Sequence, residues 1–334
     1  MKVTGFLASR GFAILLLILS ILILFLWSRF PQFYSHWLLL VPASLVVSLT
    51  VCVARRFFSA TTKDIRLWGS VVFHVGMIVI IIAAILSPLA RFYAVVVLPE
   101  DVHVDVSNKD FFFEERAPFA PSSGFVYFRL NRHETKYKEG RFPVEHVAEI
   151  TVGHMSERGV VAEDETIRVN EPAFIDGYQL LLARGYLVPR FVLKDEEGRV
   201  VFDAMVRLSN ITSQEDTFEI PEAGLILYTR FFPDVYKKGR SYRTLSLIPR
   251  DPAFGIKVAT KKDPFRDIWK GVLKVGQSAT FNGMTLEFRE LKPVVEVEIT
   301  SDPSYYLVFA GWIMIVSGLL LRYIPAVRRR GFAR

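Results

Sequence analysis

Four segments of the chain are almost purely apolar and carry no charged residue. They lie at about 11–27, 37–53, 67–89 and 305–321. Roughly 20 apolar residues cross the hydrocarbon core of a bilayer, and about 17 is near the lower limit. Buried helices of a soluble protein would instead show a polar stripe at the helical period, and these segments show none. The pattern predicts four transmembrane helices, three before and one after a long polar segment.

Residues 91–304 have a different pattern, in which apolar and polar residues alternate in short runs. These runs lie at 125–130, 147–152, 165–169, 190–195, 203–208, 225–231, 284–290 and 295–299. Turn-forming pairs such as Asp176-Gly177 and Asn282-Gly283 separate several of them. Alternation with period two is typical of strands with one buried face. We expect an all-β domain, an antiparallel sandwich or barrel-like sheet, between an N-terminal membrane region (1–90) and a C-terminal helix with a basic tail (305–334).

The composition excludes several classes of protein. Of 334 residues, 51% are hydrophobic, so the chain is not a disordered or low-complexity protein. It has one cysteine, Cys52, which excludes an internal disulfide, a CxxC redox pair and a four-thiolate zinc site. The formal net charge of +7 would suit a nucleic-acid-binding protein if the charge were spread over a polar domain.

The charge is not distributed in that way. Residues 91–304 contain 29 basic and 33 acidic residues, whereas the rest of the chain contains 12 basic residues and only Asp64 as an acidic one. Basic residues flank the apolar segments on the cytoplasmic side of membrane proteins. The distribution therefore predicts a multi-pass protein of the bacterial inner (cytoplasmic) membrane, with both termini and the loop at 54–66 in the cytoplasm. Residues from about 91 to 304 then lie outside, and a nucleic-acid partner is not expected.

The first apolar segment could also be a signal peptide, since Lys2 and Arg10 precede it. It is longer than a usual signal-peptide core, and no small-x-small cleavage motif follows Trp27. We expect it to remain as a membrane anchor.

The polar segment contains no recognisable catalytic motif. His103, His133, His146 and His154 are scattered, without the spacing of a zinc site, and there is no GxSxG motif or P-loop. His103 and Asp105 share a strand face and could form a metal pair, although a solvated face is the commoner reason for this pattern. A basic cluster is expected to be an exposed loop, or else a contact for an acidic partner or lipid head group; it comprises Lys237, Lys238, Arg240 and Arg243. An enzyme acting alone is not expected.

His74 is the one ionisable residue inside an apolar segment. Such a residue is costly in hydrocarbon and often marks a functional site. The alternative is a neutral imidazole hydrogen-bonded to a neighbour such as Ser70, one helical turn earlier. A neutral imidazole in an apolar setting is also a good haem iron ligand. His36 lies at the opposite end of a segment, so a second histidine ligand would have to come from another chain. The residues alone leave these interpretations open.

Several stretches together resemble the ResB (CcsB) family of cytochrome c biogenesis membrane proteins. They are LASRGFAILLLILSIL in the first segment, HWLLLVPASLVVSLTVCVARRF in the second, FHVGMIVIIIAAILS in the third, IRVNEPAFIDGYQLLLAR in the polar segment, and LEFRELKPVVEVEITSDPSYYLVFAGWIMIVSGLLLRYIPAVRRR at the end. No single stretch is specific, but their order is that of the family. The chain departs from the family pattern in its short first loop, in Ser48, and in the region before about residue 165.

The resemblance implies a role in haem export and cytochrome c maturation. Family members act with a CcsA/ResC-type partner, which has a Trp-rich haem-binding motif, and together they attach haem to the thiols of apocytochrome c. His74 corresponds to the membrane histidine of the family, which is regarded as a transient axial ligand of the haem iron. This chain lacks a Trp-rich motif, so covalent attachment would depend on the partner and the chain would be non-catalytic alone. The alternative is a divergent membrane-anchored extracytoplasmic β module that scaffolds or senses without a cofactor.

Overall fold

The computed structural model describes residues 9–30, 35–62, 64–107, 111–139, 142–157, 159–209, 214–239 and 241–331. The chain forms two compact units. The first comprises Met1–Phe92, Glu115–Ser122 and Ser301–Arg334, and the second comprises Tyr93–Glu114 and Ser123–Thr300. Part of residues 91–304, namely 115–122, thus clusters with the helices.

Helices occupy all four apolar segments. They are α1 (Arg10–Arg29), α2 (Leu40–Phe58, preceded by a 3-10 turn at His36–Leu39), α3 (Ile65–Ala90) and α4 (Ser304–Gly331). Three helical stretches in the described part of the chain are long and apolar enough to cross a membrane: Trp37–Phe58, Ile65–Ala90 and Ser304–Tyr323. The first segment is a shorter apolar helix over Gly11–Trp27. These helices are consistent with a membrane protein.

Helices α3 and α4 pack in antiparallel directions through glycines that are seven residues apart on each helix. A Cβ atom on Gly76 would lie 2.7 Å from the carbonyl oxygen of Gly311, and one on Gly69 would lie 2.8 Å from that of Gly318. At the other end of the pair, the Ser87 hydroxyl donates a hydrogen bond to Asp302 at 2.5 Å. Small residues allow helix backbones to approach closely, which is a common way for helices to associate in membranes.

Helices α1, α2 and α3 share a second contact. Leu16 of α1 packs with Leu45 and Leu49 of α2, and Ile78 and Ile81 of α3 pack against this cluster. Helix α3 begins after the connection 59–64, where the Asp64 carboxylate caps it by accepting a hydrogen bond from the Leu67 amide at 2.9 Å. The Asp64 cap fixes where α3 starts, and hence which turn carries His74.

The second unit is built from strands. Their bounds are β1 Phe92–Pro99, β2 His103–Asp105, β3 Phe113–Arg116, β4 Phe125–Lys138, β5 Phe142–Ser156, β6 Gly159–Arg168, β7 Ala173–Ile175, β8 Tyr178–Lys194, β9 Val200–Met205, β10 Asp216–Ile220, β11 Leu225–Phe232, β12 Val235–Lys238, β13 Ser241–Thr244, β14 Ala253–Thr260, β15 Asp263–Lys274, β16 Ser278–Phe281 and β17 Met284–Ser301. The prediction of a large antiparallel β domain is confirmed.

The strands form three main sheets. One has the order β3-β1-β17-β8-β7, with β9 beside β8 and β16 beside β17; the others are β10-β11-β14-β15 and β2-β4-β5-β6. The first two sheets pack around an aromatic core in which the rings of Phe191, Phe254 and Phe288 lie 5.2–5.6 Å apart. This packing is a sandwich, one of the two expected architectures.

The turn expected at Asn282-Gly283 is present. Asn282 and Gly283 both have positive φ angles, of 45° and 74°, and connect β16 to β17 in a tight hairpin. One prediction about the strands was wrong: 284–290 and 295–299 are not separate strands but parts of β17. Pro293 lies within it, and its carbonyl oxygen accepts a hydrogen bond from the Glu100 amide at 2.9 Å.

Candidate functional site

A cavity of about 810 Å³ lies among α1, α2 and α3. Its lining comprises Ala13, Ile14, Leu49, Cys52, Val53, Arg55, Arg56, Ser59, Ser70, Val71 and His74. The volume falls within the range of about 300–1,000 Å³ that is typical of ligand sites. All three helices contribute to it, so the packing that buries Leu45 and Leu49 also shapes the cavity.

The structure fixes which nitrogen of His74 carries a proton. Nδ1 lies 2.6 Å from the carbonyl oxygen of Ser70, one turn earlier on α3. A carbonyl oxygen only accepts hydrogen bonds, so Nδ1 must donate, and in the neutral ring Nε2 then keeps its lone pair. The ring also lies edge-on to Phe73, with centroids 5.3 Å apart. The imidazole is thus held in the tautomer and orientation that histidines ligating a metal usually have.

The Ser70 hydroxyl is a second notable group in the cavity wall. The side chain is 1% exposed, and Oγ has no hydrogen-bond partner among the described residues. Several other hydroxyls in these helices donate to a carbonyl four residues earlier, as Ser20 does to Leu16 at 2.7 Å. A buried polar group without a partner is rare and often faces a water or ligand. Ser70 therefore adds a hydrogen-bonding group beside His74.

One end of the cavity is strongly basic. Arg55 and Arg56 are exposed and lie in the last turn of α2, beside Ser59. Neither guanidinium forms an ion pair with a described carboxylate, and no acidic residue lines the cavity. Arg56 also borders a neighbouring cavity of about 440 Å³, with Arg66 and Arg322. The arginine end is thus exposed and cationic, whereas the half-buried His74 is bordered mainly by apolar side chains.

His103 and Asp105 lie together on the exposed face of β2, as the alternation predicts. The His103 ring stacks on Tyr127, with centroids 4.3 Å apart, and the Asp105 carboxylate accepts hydrogen bonds from the Ser107 amide and hydroxyl at 2.8 and 2.6 Å. Those two hydrogen bonds lower the pKa of Asp105. Among the described residues there is no group of three side chains able to hold a metal ion.

The predicted basic cluster lies on the ribbon formed by β12 and β13. The Lys237 ammonium lies 6.0 Å from the centre of the Tyr242 ring, and Lys238 and Arg243 are exposed. Arg240 lies outside the described residues. The described members of the cluster are therefore on the surface, as predicted, but they lie on two paired strands and not on the predicted loop.

Two histidines that looked unrelated in the sequence meet in the structure. His133 of β4 and His146 of β5 lie with Nε2 and Nδ1 3.2 Å apart and rings nearly parallel. Gly185 of β8 lies against them, and a Cβ atom at that position would overlap the His133 ring. Burial, and the proximity of His146, lower the pKa of His133 to about 4; burial also lowers the pKa of His146. The contact depends on the register of the β4–β5 hairpin, which makes the two histidines diagonal neighbours. The sequence pattern does not give that register.

A buried carboxylate in the second unit is fully compensated. Glu296 of β17 is 4% exposed and accepts bonds from Tyr186 at 3.0 Å, Arg184 at 2.8 Å and Arg207 at 2.7 Å. Burial and the hydrogen bond to Glu296 raise the pKa of Tyr186 to about 12. Because both carboxylate oxygens of Glu296 are paired, the cluster has a structural role and joins β17 to β8.

Comparison with known proteins identifies the family. The model of the ResB-like family matches residues 57–285. The chain belongs to the ResB-like family. The matched range includes α3 with His74 and most of the β unit, whereas Arg55 and Arg56 immediately precede it. The family resemblance inferred from the order of segments is thereby confirmed.

Curated relatives of this ResB-like chain are similar over much of its length. It is 22% identical over 305 residues to the cytochrome c biogenesis protein CcsB of Thermosynechococcus vestitus, covering 85% of the chain and 61% of that protein. It is 25% identical over 263 residues to the protein of the same name in Synechococcus elongatus, covering 77% and 51%. The chain thus spans between half and three-fifths of the length of these relatives.

Proposed function

We propose that this ResB-like chain is a subunit of a membrane complex for cytochrome c biogenesis. In this role it receives haem from the cytoplasmic side and passes it outward for attachment to apocytochrome c. The names of its relatives support the pathway. Because the chain contains no Trp-rich motif, we assign the covalent step to a CcsA/ResC-type partner and a haem-holding role to this chain.

The observation that carries the proposal is the state of His74. Its Nδ1–H donates to the Ser70 carbonyl at 2.6 Å, which leaves Nε2 as a lone-pair donor beside a largely apolar cavity of about 810 Å³. Haem sites commonly combine an imidazole ligand with apolar walls. The residues present therefore fit haem, and His74 Nε2 would hold its iron. Haem is the group to be transferred, and this chain would hold and orient it.

We further propose four spans, with both termini and the 59–64 connection in the cytoplasm and residues 91–304 outside. Arg55 and Arg56 end α2, and Arg66 and Arg322 lie near them at the same end of the helices. This concentration of basic residues at one end supports the orientation. The arginine end of the cavity then faces the cytoplasm, and the β unit is available to apocytochrome c or the partner.

The test is haem binding by the purified full chain in detergent, alone and with a co-expressed CcsA/ResC-type partner. His74→Ala is expected to reduce haem affinity at least about tenfold, equivalent to about 1.4 kcal/mol, and to change the Soret spectrum. His74→Gly with added imidazole should restore the spectrum, because free imidazole can replace the lost ligand. The control is His103→Ala, an exposed histidine of the β unit.

Unchanged haem content and spectrum in His74→Ala would refute the ligand role. If that variant also supported full cytochrome c maturation while deletion of the β unit abolished it, the chain would be a scaffolding or sensing module without a cofactor.

A further inference from the structure

The cavity beside His74 has two chemically distinct ends. The buried Ser70 and the half-buried His74 lie at one end, and the exposed Arg55, Arg56 and Ser59 lie at the other. The wall between them is mainly apolar, with Leu49 and Val53 from α2 and Val71 from α3. A ligand that fills the cavity must therefore be apolar in its middle, bind a nitrogen lone pair at one place, and carry negative charge at one edge.

The spacing of the two ends follows from helix geometry. Leu45 and Leu49 of α2 pack with Ile78 and Ile81 of α3, and only the short connection 59–64 joins the two helices, so they run antiparallel. His74 is nine residues from the start of α3, and Arg55 is three residues from the end of α2. At 1.5 Å per residue the two positions are offset by about 9 Å along the helices. One rigid, flat ligand can therefore reach both ends.

The arginine pair lacks the counter-charge that such a pair usually has. Neither Arg55 nor Arg56 has an ion-pair partner among the described residues, although the two cations are adjacent. By contrast, other arginines form close ion pairs, with nitrogen–oxygen distances of 2.7–2.8 Å. Arg184 and Arg207 pair with Glu296, and Arg190 pairs with Asp203. Guanidinium groups bind carboxylates through two parallel hydrogen bonds. Both arginines line the exposed end, so a ligand with two carboxylates at one edge can be bound there by both guanidinium groups.

We propose that Arg55 and Arg56 bind the two propionate carboxylates of the haem whose iron His74 ligates. This inference rests on the proposed function, because it assumes haem in the cavity. The apolar edge of the macrocycle then enters the cavity first, and the carboxylate edge stays at the exposed end. The arginines are binding residues that set the orientation of the haem, and with it the position of its iron relative to His74 Nε2.

The experiment compares two ligands that differ only at the propionates: haem and its dimethyl ester, in which both carboxylates are neutral. Arg55→Gln/Arg56→Gln in the full chain is expected to weaken haem binding at least about tenfold, because both carboxylates lose their charged hydrogen-bond donors. Binding of the dimethyl ester should be equal in the wild-type chain and in the variant. Arg66→Gln, on the same side of the helices but outside this cavity, is the matched control and should leave both affinities unchanged.

Equal haem affinity in the wild-type chain and in Arg55→Gln/Arg56→Gln would overturn the proposal, and the arginines would then serve orientation in the membrane or contact lipid phosphate. A loss that is the same for haem and for the dimethyl ester would also overturn it, because it would not depend on the carboxylates. Failure of the proposed function would give a different result. The spectra of bound haem and of the bound dimethyl ester would then be the same in the wild-type chain and in His74→Ala. Arg55→Lys/Arg56→Lys, which keeps the charge but not the planar donors, is expected to recover part of the affinity.

Discussion

At the scale of single residues, the chain controls the protonation of two kinds of histidine by different means. The tautomer of His74 is fixed by a hydrogen bond from Nδ1 to a backbone carbonyl oxygen of its own helix, at 2.6 Å. His133 is instead held neutral by burial and by a second imidazole, His146, 3.2 Å away on the neighbouring strand. Neutral His133 also depends on Gly185, which leaves room for its ring. The two arrangements have opposite consequences: one prepares a lone pair for a ligand, and the other makes the β unit sensitive to acid.

We predict that acid destabilises the β unit through His133. Its pKa is about 4 in the folded protein, below the 6.5 of a free imidazole, because burial disfavours the charged ring. The unfolded chain therefore takes up the proton first as the pH falls. This contribution to stability is complete above about pH 6.5 and is lost progressively toward pH 4, at no more than about 1.4 kcal/mol per pH unit for one proton.

Denaturant unfolding of the full chain in detergent at pH 7, 5.5 and 4.5 measures this slope. His133→Gln should flatten the pH dependence, whereas His103→Gln, on an exposed strand, should leave it as in the wild-type chain. The same slope in His133→Gln as in the wild-type chain would show that other groups cause the acid sensitivity.

Sequence reasoning reached the site only in part, and the reason is physical. His74 stood out because an ionisable side chain in an apolar segment is rare. Arg55 and Arg56 were interpreted only as orientation signals, because adjacency to His74 depends on how α2 and α3 pack, which no local pattern encodes. Ser70 was named as a bonding partner, but the atom that bonds is its carbonyl oxygen and not its hydroxyl. The hydroxyl that remains without a partner was not foreseen.

At the scale of elements, hydrophobic pattern and turn chemistry predicted the kinds of element well and their limits less well. Segments at 11–27, 37–53, 67–89 and 305–321 are helical, but each helix extends beyond the apolar run, since polar residues can continue a helix into the interface. The strand break expected near residue 293 does not occur, because Pro293 stays in register with Leu187 of β8 and its carbonyl oxygen accepts a hydrogen bond from the Glu100 amide. The glycines of α3 and α4 do not predict a helix contact from the sequence alone, because their seven-residue spacing becomes informative only once the two helices are known to pack together.

We predict that those glycines determine the packing of α3 and α4. Gly76→Leu is expected to destabilise the protein by about 1–3 kcal/mol or more, because the new side chain would be forced against the α4 backbone at Gly311. Gly11→Leu in α1 is the matched control, because no atom of the described residues lies within 4 Å of a Cβ there. Thermal unfolding in detergent and the yield of folded protein are the measurements. A midpoint for Gly76→Leu equal to that of Gly11→Leu would show that α3 and α4 adjust without cost.

At the scale of the whole molecule, charge is segregated by unit. The segment 91–304 carries a slight acidic excess, whereas almost all charge elsewhere is basic and lies near helix ends. A net charge of +7 therefore describes neither part. It combines a basic surface suited to anionic head groups at the helix ends with a mildly acidic β unit. The same segregation makes topology the property of the whole chain that is simplest to test.

We predict that the 59–64 connection and the β unit lie on opposite sides of the membrane. Cys52 is the only cysteine, so Cys52→Ser provides a thiol-free chain in which new cysteines report position. In this background Phe265→Cys, at a site 96% exposed in the β unit, should react with a membrane-impermeant maleimide in spheroplasts. Thr61→Cys should react only after lysis, since the basic residues around it favour the cytoplasmic side. The thermal unfolding midpoint of the Cys52→Ser chain in detergent, compared with that of the wild-type chain, is the control for intact folding, because Cys52 itself lines the His74 cavity. Labelling of Thr61→Cys in spheroplasts, with Phe265→Cys protected, would show that the orientation is the reverse of the one proposed. The arginine end of the His74 cavity would then open away from the source of haem.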